Sequence, residues 1–584
     1  MSNTSFPHSM MMSVSVLDSL IRAGMEHIVI SPGSRSAPLA YAIAALDKEQ
    51  VLTSHVRIDE RSAGFLALGI AKESGKPVGI VTTSGTAVGE LLPAVMEAYH
   101  SGVPLIVLSA DRPAQLRGSG SNQTTRQPRI FGHFVRAEAD LQSYPSSAAE
   151  EETDAFRKAL SVAFGRNQEW IQDGTVARGP VHLNLAFDTP LTPPRDSASL
   201  LEQWAHSLTS LEKSEDTASP IQPRSLLLKT PSDLDTHRTV VIAGDGAGQI
   251  AQDFAQALNL PLLAEPSAGL RTAQNAVLAY RELANTELWE SIEKVILFGH
   301  PTLSRPITAL LAREDLERAL YLSGAPTWFE EGRRSEKVFD DLVSLAYFAG
   351  RGDDGEGTTP SWRVAWQDAG RQAYQNLMSF VENYRRTGTN ESRAAGMSLA
   401  LSTWEKAREL NEVLLCGSSN LIRDLDLIAP WNQPELGYEQ GIDVTSQEKP
   451  WKIPRILSSR GLAGIDGTIS VGSGISLATT HSDGQAQPVR ILCGDLTFLH
   501  DVSSLNIGPL EKKPQVNIDV LDDRGGGIFA TLEHGSLAEE KGFTEAVQRY
   551  FTTPHIVDLS ELAHAFGQHN GIRVNIHRLD EQEK

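Results

Sequence analysis

Short runs of aliphatic and β-branched residues recur along the chain, most of them followed closely by Gly, Ser or Pro, with helical patterns between them. The runs at 27–30 (HIVI), 79–82 (GIVT), 105–108 (LIVL) and 181–185 (VHLNL) read as buried strands, and the window 90–100 as a helix. A second block opens at Thr239 with TVVIAGDGAG and predicts strands at 294–298 and 319–322. A third runs from about residue 400, with strands near 412–416, 489–493 and 516–521. Near-continuous apolar strands separated by helices predict parallel sheets covered on both faces. The polar, Pro-containing stretch 189–236 reads as a crossing linker, helical in part over 200–211, and the acidic, Gly-rich 349–360 as a surface loop. The expected fold class is α/β: three domains, each with a central, mostly parallel sheet flanked by helices.

Length agrees with that parse, since 584 residues exceed what one core supports. With 52 Lys+Arg against 73 Asp+Glu the formal charge is −21. That balance argues against a nucleic-acid partner, which needs clustered positive charge, and against anionic lipid. It leaves room for a local pocket that binds small anions. Cys416 and Cys493 lie inside apolar runs and read as two buried, reduced thiols. Two thiols suffice neither for a disulfide framework nor for a four-ligand zinc site. The N-terminal residues lack a basic stretch leading into a long apolar one, and runs such as 39–46 (LAYAIAAL) are under half a membrane span. The expectation is a cytoplasmic protein without membrane insertion.

Four segments carry candidate chemistry. SPGSRS at 31–36 joins a strand to a helix. Gly33 and Ser34 permit a tight turn, helix-start amides can donate to an anion, and Arg35 adds a fork for carboxylate or phosphate. A solvated capping turn would look the same. RIDER at 57–61 places Glu60 at the start of a helix of small and apolar residues. Partial burial there would raise its pKa and favour proton sharing, although an acid at a helix start also complements the dipole. Gly494-Asp495-Leu496 and Asp522-Asp523 each end a strand, with 25 residues between Leu496 and Asp522, enough for one crossover between parallel neighbours. Acids at the carboxyl ends of strands lie where α/β sheets bind ligands. With a Gly525 carbonyl and a diphosphate they would suit Mg²⁺, and Gly525–Gly527 would let backbone approach the ligand. A surface turn is the plain alternative for DDRGGG. GDGAG at 244–248 fails the dinucleotide spacing, since Gln249 stands where a glycine is needed. It reads as the opening turn of the central domain.

Together these pieces resemble thiamine-diphosphate enzymes. More narrowly, SPGSRSAPL, HVRIDERSAGFLALG, TTSGTAV, SADRPAQLRGSGSNQTTRQ, GPVHLNLAF, SSNLIRDLD, SSRGLAGIDGTIS, GDLTFLHD and GGGIF are similar, in order, to the MenD family. These are the 2-succinyl-5-enolpyruvyl-6-hydroxy-3-cyclohexene-1-carboxylate (SEPHCHC) synthases of menaquinone biosynthesis. The resemblance implies a pyrimidine-binding domain over 1–195, a central domain with its leading linker over 196–365, and a diphosphate-binding domain over 366–584. It implies thiamine diphosphate with Mg²⁺ or Mn²⁺ as cofactors, and 2-oxoglutarate and isochorismate as substrates. It also implies a homodimer or homotetramer whose active sites lie between chains.

Residue by residue, Glu60 matches the catalytic glutamate that bonds N1′ of the aminopyrimidine. Asp495, Asp523 and the Gly525 carbonyl match metal ligands. Ser419, Gly494 and Leu496 align with residues around the diphosphate, Gly526 with a cofactor-binding position, and Ile465 and Ile528 match apolar cofactor contacts. Arg35, Arg112, Gln123, Arg305, Arg423 and Arg460 match substrate-binding positions, with Ser34 a further candidate. Two departures stand out: Asp522-Asp523 replaces the common Asn-Asn pair, and Ser304 stands where relatives can carry Lys. The extra negative charge predicts a sharp dependence on the divalent metal. The nearest rival is another thiamine-diphosphate carboligase of the acetohydroxyacid synthase type, which need not carry the arginines. A non-catalytic protein with a decayed fold would be expected to lack Glu60 or Asp495.

Overall fold

A computed structural model describes residues 6–144, 148–165, 178–211, 231, 233–270, 273–322, 333–356, 358–387, 392–429, 454–478, 486–540, 542–566 and 570–579. Among them lie sixteen strands in three sheets, with every strand pairing parallel.

The first sheet contains β1 (His27–Ile30), β2 (Thr53–Val56), β3 (Val78–Thr82), β4 (Leu105–Asp111), β5 (Ala137–Gln142) and β6 (Val181–Ala186). Their order is β2-β1-β3-β4-β6-β5. Its inner strands β3, β4 and β6 are buried at every residue, as two-sided coverage by helices requires. The second sheet, ordered β11-β10-β9-β7-β8, is built from β7 (Thr239–Ala243), β8 (Leu262–Ala264), β9 (Lys294–Phe298), β10 (Glu317–Tyr321) and β11 (Lys337–Phe339). The third, ordered β13-β12-β14-β15-β16, is built from β12 (Val413–Cys416), β13 (Ile456–Ser458), β14 (Val489–Gly494), β15 (Val516–Asp522) and β16 (Ile572–Arg578). GDGAG is the turn from β7 into the helix Gln249–Ala257. There Gly244 leaves room for Pro301, whose backbone N would lie 2.1 Å from any Cβ.

The first and third sheets share one apolar core, which runs from Val29, Leu66 and Ile80 to Leu415, Ile491 and Val520. Two helices form the seam, Glu60–Ser74 and Thr468–Ala478. The long helix Trp362–Thr387 ties the central unit to the third. Trp362 and Trp366 pack in the central core, while Tyr374, Leu377 and Val381 pack under the third sheet. The expected boundary at 365/366 lies in the first turn of this continuous helix. The helix Ala198–Leu208, expected within the leading linker, packs instead on the first unit through Leu201, Ala205 and Leu208. Residues 212–230, also assigned to that linker, lie outside the described residues. Cys416 and Cys493 are buried and form no disulfide.

Candidate active site

Strand order decides which loops meet. In the first sheet β3 lies between β1 and β4, so the turns after these strands converge. Gly33, after β1, sits so close to Thr83, after β3, that a Cβ there would stand 2.2 Å from the Thr83 Cβ. Arg112, after β4, donates to Ser84 Oγ at 3.0 Å and to the Gln123 carbonyl at 3.2 Å. Gln123 returns a bond from Nε2 to the Ser84 carbonyl at 2.8 Å. Arg35 donates to the Phe187 carbonyl at 3.0 Å. Burial and the charge of Arg112 lower its pKa, and its Nε is buried without a partner. Ser34 is exposed at the lip of the same turn. Two guanidinium groups crowded at one sheet end have the chemistry to take a carboxylate.

Behind them a polar network holds the loop 112–127. Arg117 bonds Asp111 at 2.9 Å and both oxygens of Asp140 at 2.6 and 2.7 Å. Buried Gln127 accepts from Gly85 N at 2.9 Å and donates to Asn184 at 3.0 Å.

Glu60 opens its helix, half-buried, with Asp59 as the cap: Asp59 Oδ1 accepts from the Arg61 and Ser62 amides at 2.9 and 3.3 Å. Burial raises the pKa of Glu60, and the charges of Asp59 and Glu90 add to the shift. The cap is tied across the seam, since Ser503 donates to Asp59 Oδ2 at 2.7 Å and Ser62 meets Ser504 at 3.1 Å.

The third sheet places β12, β14 and β15 side by side, and their ends bring Ser419, Gly494-Asp495-Leu496 and Asp522-Asp523 to one edge. Ser419 caps the helix Asn420–Ile428, and Gly494 precedes the helix Asp495–His500. Asp495 is buried. Its Oδ1 accepts from Leu496 N at 2.6 Å and its Oδ2 from Gly525 N at 2.8 Å. Gly525 has φ +152°, and a Cβ there would lie 2.5 Å from the Thr552 carbonyl oxygen. Asp523 faces Gly527 so closely that a Cβ would meet its Oδ2 at 1.9 Å. Burial, and next the charge of Asp495, push the Asp523 carboxyl up to about 7. Ile528 lies in the turn Gly527–Thr531 and Ile465 just before the seam helix, both half-buried.

No spacing in the sequence marks His555, which stands 60 residues past Asp495 in a stretch without a metal-ligand pattern. Its Nε2 lies 3.0 Å from Asp495 Oδ2 and 3.9 Å from Asp522 Oδ1. Ligand atoms of Asp495, Asp522 and His555 all fall within 4.8 Å of one another. Asp522 is fully buried, with Arg578 Nε 3.4 Å from its Oδ2. Three acids gathered at one edge suit a hard divalent cation. The buried Ser418 hydroxyl, without a partner, leaves a donor for a diphosphate.

A second group of cations gathers where the central and third units meet. Burial lowers the pKa of Arg423, and the charges of Arg460, Arg281 and Arg305 follow as causes. Arg423 donates to the Ser419 carbonyl at 2.9 Å. Arg460 is buried, donates to Thr302 Oγ1 at 2.7 Å, and keeps a partnerless Nε. Arg305 is exposed and reaches Glu533 at 3.2 Å. Ser304 caps its helix, accepting from Ile307 N. Arg281, which no motif marked, donates to the Arg423 carbonyl at 2.8 Å.

This fold and this pair of sheet-end clusters define a thiamine-diphosphate enzyme, and comparison with known proteins agrees. Residues 10–130 match the family of the thiamine pyrophosphate enzyme N-terminal TPP binding domain. Benzoylformate decarboxylase from Polynucleobacter necessarius shares the fold at a TM-score of 0.56 and 16% identity, over 97% of this chain and 98% of that one. The 2-succinyl-5-enolpyruvyl-6-hydroxy-3-cyclohexene-1-carboxylate synthase of Renibacterium salmoninarum is 46% identical, covering 94% of this chain and 88% of its own. Those of Arthrobacter sp. and Paenarthrobacter aurescens are 44% and 42% identical, each over 94% of this chain and over 82% and 87% of their own. The chain belongs to the SEPHCHC synthase family.

Among the described residues no helix is long and apolar enough to cross a membrane.

Proposed function

We propose that the chain decarboxylates 2-oxoglutarate and adds the succinyl fragment in a 1,4 sense to isochorismate, giving SEPHCHC and CO₂. The observation that carries this reading is 46% identity over 94% of the chain to a synthase of that name. When bound, thiamine diphosphate would supply the electron sink that decarboxylation of a 2-oxo acid requires.

The chain's own residues then have distinct tasks. Glu60, its pKa raised by burial, shares a proton with N1′ of the aminopyrimidine. Asp495, Asp523 and the Gly525 carbonyl hold Mg²⁺ or Mn²⁺, with Asp522 and His555 beside them. Ser419, Gly494, Leu496 and Gly526 line the diphosphate, and Ile465 and Ile528 give the cofactor apolar contact. Both substrates are dicarboxylates, so Ser34, Arg35, Arg112 and Gln123 on one side and Arg305, Arg423 and Arg460 on the other bind and orient them. The pyrimidine domain is 1–195. The stretch 196–365 holds the central domain after a linker whose helix Ala198–Leu208 packs back on the first unit. The diphosphate domain is 366–584, entered along the helix Trp362–Thr387. The enzyme acts in the cytoplasm as a homodimer or homotetramer, with Glu60 and Asp495 of one chain serving different sites.

The test compares carboligation with 2-oxoglutarate plus isochorismate against carboligation with pyruvate. SEPHCHC formed at the higher kcat/KM supports the reading. Preferential turnover of pyruvate overturns it in favour of an acetohydroxyacid synthase type.

A further inference from the structure

Glu265 follows β8 in the central unit and is 1% exposed. Its Oε1 accepts the Leu303 amide at 2.8 Å and its Oε2 the Thr302 amide at 3.3 Å. Thr302 Oγ1 accepts from Arg460 Nη2 at 2.7 Å. Two residues past Leu303 the helix Arg305–Leu311 begins. One buried carboxylate thus holds the backbone of a turn that grips one site arginine and launches the helix carrying another.

Burying a carboxylate is costly, and desolvation pushes Glu265 up to about 7 despite the two amides and the charge of Arg460. A carboxylate bonded directly to Arg460 would neutralise it. Held at one remove, through a neutral hydroxyl, the guanidinium is oriented while its charge stays available to an anion. The partnerless Arg460 Nε leaves a donor for that purpose.

We infer that Glu265 is a positioning residue which, through the 302–303 turn and the Thr302 hydroxyl, aims Arg460 at a carboxylate of one substrate. The inference rests on the dicarboxylate chemistry proposed above and gives the central unit a task within it. Thr302 is exposed, so Thr302→Val tests the link without emptying a core position.

The holoenzyme carrying Thr302→Val should show KM raised about tenfold for one of the two substrates, the scale of one hydrogen bond to a charged group. Its kcat should stay within about twofold of wild type, Thr302→Ser should restore KM, and Glu265→Gln should raise KM for the same substrate. The inference is overturned if Thr302→Val leaves both KM values within about twofold, if Thr302→Ser is as impaired as Thr302→Val, or if Glu265→Gln shifts kcat and both KM values alike. Calorimetric binding of glutarate to both holoenzymes separates this from failure of the activity itself. If wild type turns over neither substrate pair yet binds glutarate about tenfold tighter than Thr302→Val, the activity assignment falls and the positioning stands. Equal binding, or none to either protein, overturns the positioning.

Discussion

Gly69 and Gly474 face each other where the helices Glu60–Ser74 and Thr468–Ala478 cross. A Cβ on Gly474 would stand 2.9 Å from the Gly69 Cα and 2.2 Å from the Leu66 carbonyl oxygen. On the other side, a Cβ on Gly69 would stand 2.2 Å from the Val471 carbonyl oxygen. Backbone packs on backbone here, so neither helix can shift to admit a methyl group without moving a whole domain. Gly474→Ala should therefore cost about 1–3 kcal/mol, the range for overpacking, and lower Tm. It should also lower kcat, because the helix that Gly474 packs against, Glu60–Ser74, begins at Glu60. An unchanged Tm in thermal unfolding would refute the close contact.

Glu60 is half-exposed at its helix start, so removing its charge should cost the fold little. Glu60→Gln should lower kcat by about 10²–10⁴, the usual contribution of a positioned proton-transfer group, with Tm essentially unchanged. Asp59→Ala should do the reverse in emphasis, losing a cap worth about 1 kcal/mol together with the Ser503 tie across the seam. Steady-state rates and melting curves on the two variants distinguish these roles.

Asp495, Asp522 and Asp523 gather three carboxyl groups at one sheet edge, and a divalent cation would balance the charge they carry when ionised. Exhaustive chelation should abolish turnover, and Mg²⁺ or Mn²⁺ should restore it. Asp495→Asn should weaken metal affinity by at least about tenfold, measured as the metal concentration giving half-maximal rate. Activity that survives chelation would contradict the metal site.

Asp519, on β15, is buried against Arg490 on β14, which donates to it at 2.7 Å. Burial alone would raise its pKa, but bonds from His577 and Arg490 and the Arg490 charge bring it down to about 2. A carboxyl with a folded pKa below its unfolded value near 3.9 contributes stability that is fully present above about pH 4. That contribution, about 2–3 kcal/mol, is lost as pH falls through about 2. Urea unfolding of wild type and Asp519→Asn should show a gap that narrows between pH 5 and pH 2.5. A constant gap would exclude the ion pair as its source.

The motifs proposed to carry chemistry were legible because each depends on neighbours in sequence. Gly494-Asp495-Leu496, the acids after β15 and Glu60 at a helix start all announce themselves by residue type against a strand end or an apolar helix. His555 and Arg281 do not. His555 reaches Asp495 only because the segment after Gly525 folds back over β14 and β15, and Arg281 reaches Arg423 only because two domains pack together. Glu97 is a further case: it is buried in a helix of the first unit and accepts the Gly461 and Leu462 amides at 2.9 and 2.7 Å, next to Arg460.

The division between sequence and tertiary structure is plainest in the sheets. The ten inner strands, β1, β3, β4, β6, β7, β9, β10, β12, β14 and β15, coincide with the apolar runs read from the sequence. An inner strand of a parallel sheet is covered on both faces and must be apolar at successive positions. The six edge strands, β2, β5, β8, β11, β13 and β16, were all missed. Thr53–Val56 and Lys337–Phe339 contain no fully apolar stretch, and Ala137–Gln142 alternates buried with half-buried residues. An edge needs a partner on one side only, so its identity follows from the neighbour it pairs with. Residue pattern along the chain was enough to place the inner strands, Glu60 at its helix start and the acids Asp495, Asp522 and Asp523 at strand ends. Tertiary packing alone decided the sheet edges and strand order, the gathering of Arg281, Arg305, Arg423 and Arg460, and the arrival of His555. Those contacts join residues whose spacing in the chain carries no period.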